Sequence, residues 1–258
     1  MIVTAVQLDI VWEDKPATFA RVSRLLEAKR PEPGSLVVLP EMFSTGFSMN
    51  VGGIHEGGER PAEGFLKSLA REFNVCALGG VVNVGPDGRG LNQALAFAPD
   101  CRELVRYDKI HPFTLGEEGT HYTAGETVRL FEWGNVSVAP FVCYDLRFPE
   151  LFRAAARRKA QLMVVIANWP LPREAHWVTL LQARAIENQA YVVGVNRCGK
   201  DPKHAYFGRS LVVDPQGNIL ADAGREECTL SAAIDPGVVE SWRQRFPALR
   251  DMRYSTTL

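Results

Sequence analysis

The sequence lacks both an excess of charge of one sign and a long apolar run. Its 258 residues include 29 Lys and Arg against 30 Asp and Glu, which gives a formal net charge of -1. This balance argues against a nucleic-acid partner, because proteins that bind nucleic acids through bulk charge are usually basic. No stretch approaches the roughly 18 apolar residues of a membrane-spanning helix. Hydrophobic residues make up 46%, a proportion typical of globular proteins and unlike disordered chains.

Cysteine is sparse, and its spacing suggests no pairing. The five cysteines are odd in number and widely spaced, without a CxxC pair: Cys76, Cys101, Cys143, Cys198 and Cys228. This spacing argues against a disulfide framework and against a cysteine zinc site. The first residues also lack the basic leader of an export signal. We therefore expect a protein of the reducing cytoplasm that has no membrane partner.

Several common catalytic signatures are missing as well. The sequence has no GxSxG motif, which disfavours a serine α/β-hydrolase, and no GxxxxGK[ST] or GxGxxG phosphate-binding loop. Its five histidines show no HExxH or similar ligand spacing. We therefore expect no metal site.

Strand and helix patterns alternate along the whole chain. Alternating or continuous apolar runs predict strands at 2–8, 35–39, 75–84, 91–98, 103–108, 136–142, 162–167, 191–196, 210–214, 218–221 and 230–234. Helical spacing of apolar residues predicts helices at 18–30, 65–73, 149–159 and 175–189. The alternation predicts layered α/β architecture. Since no long polar linker interrupts it, we predict a single domain over residues 1–258.

Three of the predicted strands are followed by a reactive polar residue. Glu41 comes after a buried strand, where a carboxylate is costly unless it has partners; the alternative is a solvated loop carboxylate. Lys109 lies among aromatic residues, and the alternative is an ordinary surface lysine. Cys143 lies at a strand-to-helix junction, where solvent access and the positive helix end favour a thiolate. A buried structural cysteine is the alternative there.

Taken together, these segments resemble the nitrilase superfamily of carbon–nitrogen hydrolases. The matching motifs, in this order, are Leu39-Pro40-Glu41, Tyr107-Asp108-Lys109 and Cys143-Tyr144-Asp145-Leu146-Arg147-Phe148-Pro149. A finer resemblance to the omega-amidase-like branch comes from Ala167-Asn168-Trp169-Pro170, Trp177 and Gln182-Ala183-Arg184-Ala185-Ile186-Glu187-Asn188. The resemblance implies an α-β-β-α sandwich (αββα protomer) that forms a homodimer through the helices beside the cysteine. It also implies hydrolysis of an amide without a metal or organic cofactor.

The resemblance further implies a Glu-Lys-Cys triad of Glu41, Lys109 and Cys143. In that chemistry Cys143 attacks the amide carbonyl, and Glu41 carries the proton and later activates water. Lys109 and the backbone N–H of Tyr144 would stabilise the oxyanion.

Many members of the superfamily carry a further glutamate after the lysine. Glu118 matches it, because it lies four residues before Tyr122 in a Tyr-Thr-Ala-Gly-Glu segment. The adjacent Glu117 remains an alternative, and both acids could also lie in a solvated turn.

Recognition of the substrate that the resemblance implies requires a cationic side chain in the pocket. An omega-amidase hydrolyses the terminal amide of a short dicarboxylic acid monoamide such as 2-oxoglutaramate or 2-oxosuccinamate, and arginine pairs well with the distal carboxylate. Arg173 is the first candidate and Arg147 the second, although Arg147 could instead bind Glu150 or a helix end. Further pocket candidates are Phe43, Phe113, Asn168 and Trp169. Alternatives to this function are hydrolysis of another linear amide, an N-carbamoyl amine or a nitrile, and a binding or scaffold protein without turnover.

Overall fold

The computed structural model describes residues 1–253 of the chain. The strands are β1 Ile2–Gln7, β2 Leu36–Val38, β3 Cys76–Val84, β4 Gly90–Phe97, β5 Glu103–Asp108, β6 Phe131–Trp133, β7 Val136–Val142, β8 Leu162–Ala167, β9 Tyr191–Asn196, β10 Cys198–Lys200, β11 Ala205–Phe207, β12 Leu211–Val213, β13 Ile219–Asp222 and β14 Cys228–Ala233. The helices are α1 Lys15–Ala28, α2 Val51–Ile54, α3 Pro61–Phe73, α4 Glu118–His121, α5 Pro149–Arg157, α6 Glu174–Asn188 and α7 Pro236–Arg245. None of the helices in residues 1–253 has the length and apolar character to cross a membrane.

Two six-stranded sheets form the centre of the molecule. The first has the strand order β14-β1-β2-β3-β4-β5, and the second has the order β13-β12-β9-β8-β7-β6. Three neighbouring strands are parallel in each sheet, β1-β2-β3 in the first and β7-β8-β9 in the second. The outer strands pair antiparallel. Because parallel strands end at the same edge, each sheet gathers the residues that follow its central strands at one edge.

The order of the layers follows from the alternation of side chains along each strand. Val38 of β2 lies in one buried apolar cluster with Val138 and Val164 of the second sheet. Its neighbour Val37 points to the opposite face and shares a second cluster with Leu66 of α3. On the far side, α6 packs on β9 and β12. The arrangement is helix, sheet, sheet, helix, which confirms the predicted αββα sandwich.

Most predicted element boundaries agree with the structure to within about one residue. Four strands, β5, β7, β8 and β9, have the predicted limits, and α5 begins at Pro149 as expected. Helix α3 begins at Pro61, four residues before the predicted start. The carboxylate of Glu56 accepts the N–H groups of Ala62 and Glu63 at 2.8 and 2.9 Å and so caps the start of the helix. The spacing of apolar residues could not predict this start, because the cap is a polar side chain.

The sequence patterns missed the short strands β6, β10 and β11 and the helix α7. A strand of three residues is too short for alternation to be visible. Helix α7 buries only Val239, so it has almost no apolar stripe to detect. The prediction of one domain over residues 1–258 stays a prediction.

Candidate active site

The ends of four strands meet at the candidate active site. The first sheet contributes Glu41, which follows β2, and Lys109, which follows β5. The second sheet contributes Cys143 and Asn168, which follow β7 and β8. The structure therefore brings together all three members of the predicted triad, each within one to three residues of a strand end, across the interface between the two sheets.

Lys109 lies between two buried carboxylates. Its Nζ donates to Glu41 Oε1 at 2.9 Å and to Glu118 Oε2 at 2.8 Å. Asn92 of β4 donates to Oε1 of both glutamates at 2.8 Å. Glu118 is fully buried, whereas Glu117 is exposed. Of the two alternatives left by the sequence, Glu118 is therefore the acid that lies in the site.

Backbone geometry explains which of these two adjacent acids points inward. Glu117 has a left-handed conformation with φ of 58°, which turns the chain into the single turn of α4. Glu118 then accepts the backbone N–H of Phe113 at 2.6 Å as well as the lysine. Asn92 was missed by the sequence analysis, although a polar residue inside the apolar strand 91–98 is an unusual feature that could have indicated it.

The buried charges determine which groups are ionised. Burial alone would lower the pKa of Lys109, but the charges of Glu118 and Glu41 reverse this and raise it, so the lysine stays protonated. Burial alone would raise the pKa of Glu41, but Lys109 and hydrogen bonds from Asn92 and Asn168 bring it below its usual value. Burial raises the pKa of Glu118 in spite of its ion pair with Lys109. Glu41 is thus the stronger acid of the two.

Cys143 begins a short 3-10 helix, Cys143–Arg147, in a left-handed conformation with φ of 47°. A residue other than glycine is strained there by about 1–3 kcal/mol, and such strain often lies at functional sites. Its side chain reaches the wall of a pocket although the residue is only 9% exposed. Tyr144, whose backbone N–H was predicted as an oxyanion donor, follows it in the same turn and also lines the pocket.

The expected thiolate at Cys143 is wrong for the resting site. Burial raises the pKa of the thiol well above its usual value, and the charge of Glu41 raises it further. The α-helix on whose positive end the prediction relied, α5, starts only at Pro149, and only a short 3-10 helix begins at the cysteine. The thiol is therefore protonated at neutral pH, and Glu41 is a nearby ionised group that can accept its proton.

Asn168 positions Glu41 across the two sheets. Its backbone N–H donates to Glu41 Oε2 at 2.9 Å, and its Nδ2 donates to the backbone oxygen of Glu41 at 2.7 Å. The same residue lines the pocket, so its predicted contact with substrate stays a prediction. Its observed hydrogen bonds show that it holds the carboxylate.

The pocket beside Cys143 has a cavity volume of about 150 Å³, which suits a compact molecule. Two cations line it. The guanidinium of Arg147 lies over the ring of Trp169 at 4.8 Å, and that of Arg173 lies over the ring of Phe113 at 5.3 Å. The full lining is Phe47, Phe113, Leu115, Gly116, Cys143, Tyr144, Arg147, Asn168, Trp169, Pro170, Arg173, His204 and Tyr206. His204 and Tyr206, on the β10–β11 hairpin, were not predicted.

In the described part of the chain, neither arginine has an acidic partner. Within residues 1–253, no carboxylate lies within ion-pair distance of Arg147 or Arg173. The alternative that Arg147 binds Glu150 is therefore not observed; its guanidinium instead approaches His176 Nδ1 at 3.2 Å. Burial lowers the pKa of Arg147, and the nearby charge of Arg173 contributes in the same direction.

Phe43 does not line the pocket, and this prediction is wrong. The residue is fully buried between α1 and α3, with its ring 6.0 Å from the rings of both Phe19 and Phe65. Simple alternation would point Phe43 to the same side as Glu41. However, Met42 between them has a left-handed conformation with φ of 42°, which breaks the alternation and sends Phe43 into the core.

The described chain offers no obvious metal ligands. Among residues 1–253, no group of three or more His, Cys, Asp or Glu side chains could hold a metal ion.

Comparison with known proteins assigns the family. A family model described as carbon–nitrogen hydrolase matches residues 2–244. The chain belongs to the carbon–nitrogen hydrolase family. The assignment to the nitrilase superfamily and its omega-amidase-like branch is confirmed, as is a hydrolase of non-peptide carbon–nitrogen bonds in linear amides.

Three known proteins similar to this carbon–nitrogen hydrolase show how far the likeness extends. Omega-amidase YafV of Yersinia enterocolitica is 39% identical over 250 residues, which cover 96% of this chain and 95% of the relative. The 2-oxoglutaramate amidase of Bacillus subtilis (strain 168) is 33% identical and covers 97% of both chains. A crystal structure of a CN-hydrolase superfamily protein from Xanthomonas campestris, with an arsenic adduct in its active site, has a TM-score of 0.92 and 31% identity over 100% of this chain and 98% of that one.

Proposed function

We propose that this carbon–nitrogen hydrolase cleaves the terminal amide of a short dicarboxylic acid monoamide, of the 2-oxoglutaramate or 2-oxosuccinamate type, to the acid and ammonia. One observation carries this proposal: a pocket that begins at Cys143 contains two arginines, Arg147 and Arg173, without an acidic partner in the described chain. A substrate with an amide at one end and a carboxylate at the other would place the amide at Cys143 and the carboxylate at the arginines. The names of the Yersinia and Bacillus relatives support the same class of substrate.

In the acylation step, Cys143 Sγ attacks the amide carbonyl while Glu41 accepts the thiol proton. The carbonyl oxygen becomes an oxyanion, and we assign its stabilisation to Lys109 Nζ and the backbone N–H of Tyr144. Loss of one such donor typically costs about 2.7–4 kcal/mol of barrier. Glu41 then gives the proton to the departing nitrogen, and the carbon–nitrogen bond breaks. Ammonia departs, and the acyl group remains bound to Cys143 as a thioester.

In the second step, Glu41 removes a proton from a water molecule that attacks the thioester carbonyl. The carbon–sulfur bond breaks, the acid product leaves, and the proton returns to the Cys143 sulfur. Because Lys109 holds the pKa of Glu41 down, Glu41 starts each step ionised and ready to accept a proton. We assign Glu118 to orienting Lys109, since it contacts Nζ with both oxygens at 2.8 and 3.1 Å.

We assign the distal carboxylate of the substrate to Arg173, with Arg147 as the second candidate. A charge-assisted hydrogen bond contributes roughly 1.5–3 kcal/mol. The variant Arg173→Met should therefore lower kcat/KM for 2-oxoglutaramate by about 10- to 150-fold. An uncharged aliphatic amide of equal length should be hydrolysed by the variant and the parent protein at similar rates. Equal losses on both substrates would mean that Arg173 is structural and that Arg147 should be tested next.

A panel of candidate substrates tests the reaction itself. Ammonia release should be fastest with dicarboxylic acid monoamides and slower with N-carbamoyl amines, nitriles and other linear amides, and Cys143→Ala should release none. A preference for a carbamoyl compound or a nitrile would leave the assignment of the catalytic residues intact but would change the proposed substrate class. The absence of turnover on every compound, together with no fast-alkylating thiol, would favour a binding protein.

We further propose that two copies associate through α5 and α6, the helices that follow the cysteine turn. The superfamily resemblance motivates this proposal, and Ile186 of α6, which is 55% exposed, gives an apolar position on these helices at which to test it. A cytoplasmic location also stays a prediction, supported by five cysteines that are all free thiols.

A further inference from the structure

Besides Glu41 and Glu118, a third buried carboxylate lies near Cys143 and takes no part in the proposed mechanism. Asp145, two residues after Cys143, is fully buried. Its Oδ2 accepts the hydroxyl of Tyr107 at 2.8 Å and the backbone N–H of Val142 at 3.1 Å. Its Oδ1 accepts the backbone N–H of His111 at 2.9 Å and lies 3.1 Å from the ring Nδ1 of the same residue. Both oxygens are therefore occupied by protein groups.

The partners of Asp145 belong to two different parts of the site. Val142 is the last residue of β7 and directly precedes Cys143. Tyr107 lies in β5, two residues before Lys109, and His111 lies two residues after Lys109, on the segment that leaves this strand. Since β5 and β7 belong to different sheets, this one carboxylate joins the nucleophile turn of the second sheet to the lysine segment of the first.

The bond to Val142 also closes the turn in which Cys143 is strained. It links the residue before Cys143 to the residue two after it, and Cys143 between them has φ of 47°. A second contact reinforces the joint, because the His111 ring stacks on the ring of Phe148 with a centroid distance of 3.5 Å. The turn thus contacts the segment that contains Lys109 at two places, through Asp145 within the turn and through Phe148 at its end.

We infer that Asp145 is a positioning residue, which sets the place of the Cys143 sulfur relative to the Lys109 ammonium without touching the substrate. Asp145 does not line the pocket, so substrate binding does not depend on it directly. The inference rests on the proposed function in one respect, that Cys143 is the nucleophile. A displacement of a reacting group by about 1 Å can cost about 10²-fold in rate, so this link is expected to act on kcat.

The variant Asp145→Asn tests the inference, because it keeps the size of the side chain but turns one acceptor into an NH₂ group that faces donors. With 2-oxoglutaramate as substrate, we expect kcat to fall about 100-fold while KM stays within about threefold of the parent value. Alkylation of Cys143 by iodoacetamide, followed by mass spectrometry of its peptide, should slow as well, since Glu41 can no longer meet a correctly placed thiol.

Glu56→Gln is the matched control. Like Asp145, Glu56 is buried, does not line the pocket and accepts several donors, namely Lys15 Nζ at 2.9 Å and the backbone N–H groups of Ala62 and Glu63. Unlike those of Asp145, none of these donors belongs to the turn of Cys143 or to the segment of Lys109. This variant should lose stability and keep the parent kcat. If it lost kcat to the same extent as Asp145→Asn, a general effect of destabilisation would replace the positioning role.

A second variant covers the case in which Asp145→Asn fails to fold. Tyr107→Phe keeps the buried ring and the bond between Asp145 and Val142 but removes one bond between the sheets, and we expect kcat to fall about tenfold with KM unchanged. A folded Asp145→Asn or Tyr107→Phe protein with the parent kcat and alkylation rate would overturn the inference. A parent protein without turnover and without a reactive Cys143 would instead overturn the proposed function.

Discussion

At the scale of single residues, the site is a cluster of buried charges with an excess of negative charge. Two carboxylates, Glu41 and Glu118, surround one ammonium, Lys109. The excess keeps the lysine protonated and opposes ionisation of the neighbouring Cys143 thiol. In the proposed mechanism the cysteine therefore differs from one activated in advance as a thiolate, because its proton moves to Glu41 during the attack.

This charge distribution predicts an unusual pH dependence of thiol alkylation. For a free cysteine with a pKa near 8.5, the rate of alkylation rises about tenfold with each unit of increasing pH, until the pH reaches the pKa. Burial raises the pKa of Cys143, while that of Glu41 is lowered, so Glu41 is ionised throughout the neutral and alkaline range. The rate of alkylation by iodoacetamide should hence be nearly constant from about pH 7 to 9. In Glu41→Gln the rate should be low and should rise steeply with pH, and a steep rise in the parent protein would contradict this assignment.

The two adjacent acids of the 117–118 pair allow a closely matched comparison. Glu118→Gln removes a charge that contacts Lys109 but leaves Glu41 as its ion-pair partner, so the protein should fold. Its kcat should fall on the order of 10²-fold, because the oxyanion donor is no longer held in place. Glu117→Gln, at an exposed neighbouring position, should retain kcat within about twofold. Steady-state ammonia release measures both, and the opposite order would assign the role to Glu117.

At the scale of elements, β3 supports the turn that carries Glu41. Gly80 of β3 donates its N–H to Pro40 and accepts the N–H of Phe43, both at 3.0 Å. A Cβ on Gly80 would lie 2.6 Å from the Cα of Glu41, closer than real atoms approach. Glycine is required here because two backbones meet, and not because of a turn.

Gly80→Ala should therefore push the Glu41 turn away and lower both stability and activity. Overpacking of this kind typically costs about 1–3 kcal/mol, and we expect kcat to fall at least tenfold as Glu41 moves. Gly64→Ala in α3 is the control, since nothing lies within 4 Å of its Cβ position. It should raise stability by about 0.5–1 kcal/mol and leave kcat unchanged. Thermal unfolding and ammonia release measure the two effects, and a fully active Gly80→Ala protein would refute the role of β3.

At the scale of the whole molecule, the site exists only where the two sheets meet. Glu41 and Lys109 come from the first sheet, and Cys143 comes from the second. At the site, polar links across this boundary include those of Asn168 to Glu41 and of Asp145 to Tyr107 and His111. Relative movement of the sheets would separate Cys143 from Glu41, so the proposed mechanism also depends on the apolar core between the sheets.

The proposed association of two copies belongs to the same scale. Ile186→Glu would place a charge on the exposed face of α6 and should shift sedimentation velocity from dimer to monomer, because a buried unpaired charge is strongly unfavourable. Val84→Glu is the control, since Val84 is 42% exposed at the end of β3. It should leave the dimer intact. A parent protein that is monomeric at micromolar concentration would refute the proposed dimer.

The sequence by itself determined the layered architecture and the three central residues of the site. Apolar alternation is a local property, and so the limits of β5, β7, β8 and β9 could be read from it directly. Glu41, Lys109 and Cys143 each follow a strand, and their motifs were specific enough to indicate the superfamily that the comparisons confirm.

Only the tertiary structure decided how these residues are held and which of their neighbours take part. Glu118 was separated from Glu117, and Phe43 was removed from the pocket, by left-handed conformations at Glu117 and Met42 that side-chain patterns do not reveal. The protonated state of Cys143 depends on charges that lie far away in the sequence. The same holds for Asn92, Asn168 and Asp145, whose hydrogen bonds join segments up to 127 residues apart. Burial and charge act through space, and for this reason spacing along the chain could not have shown them.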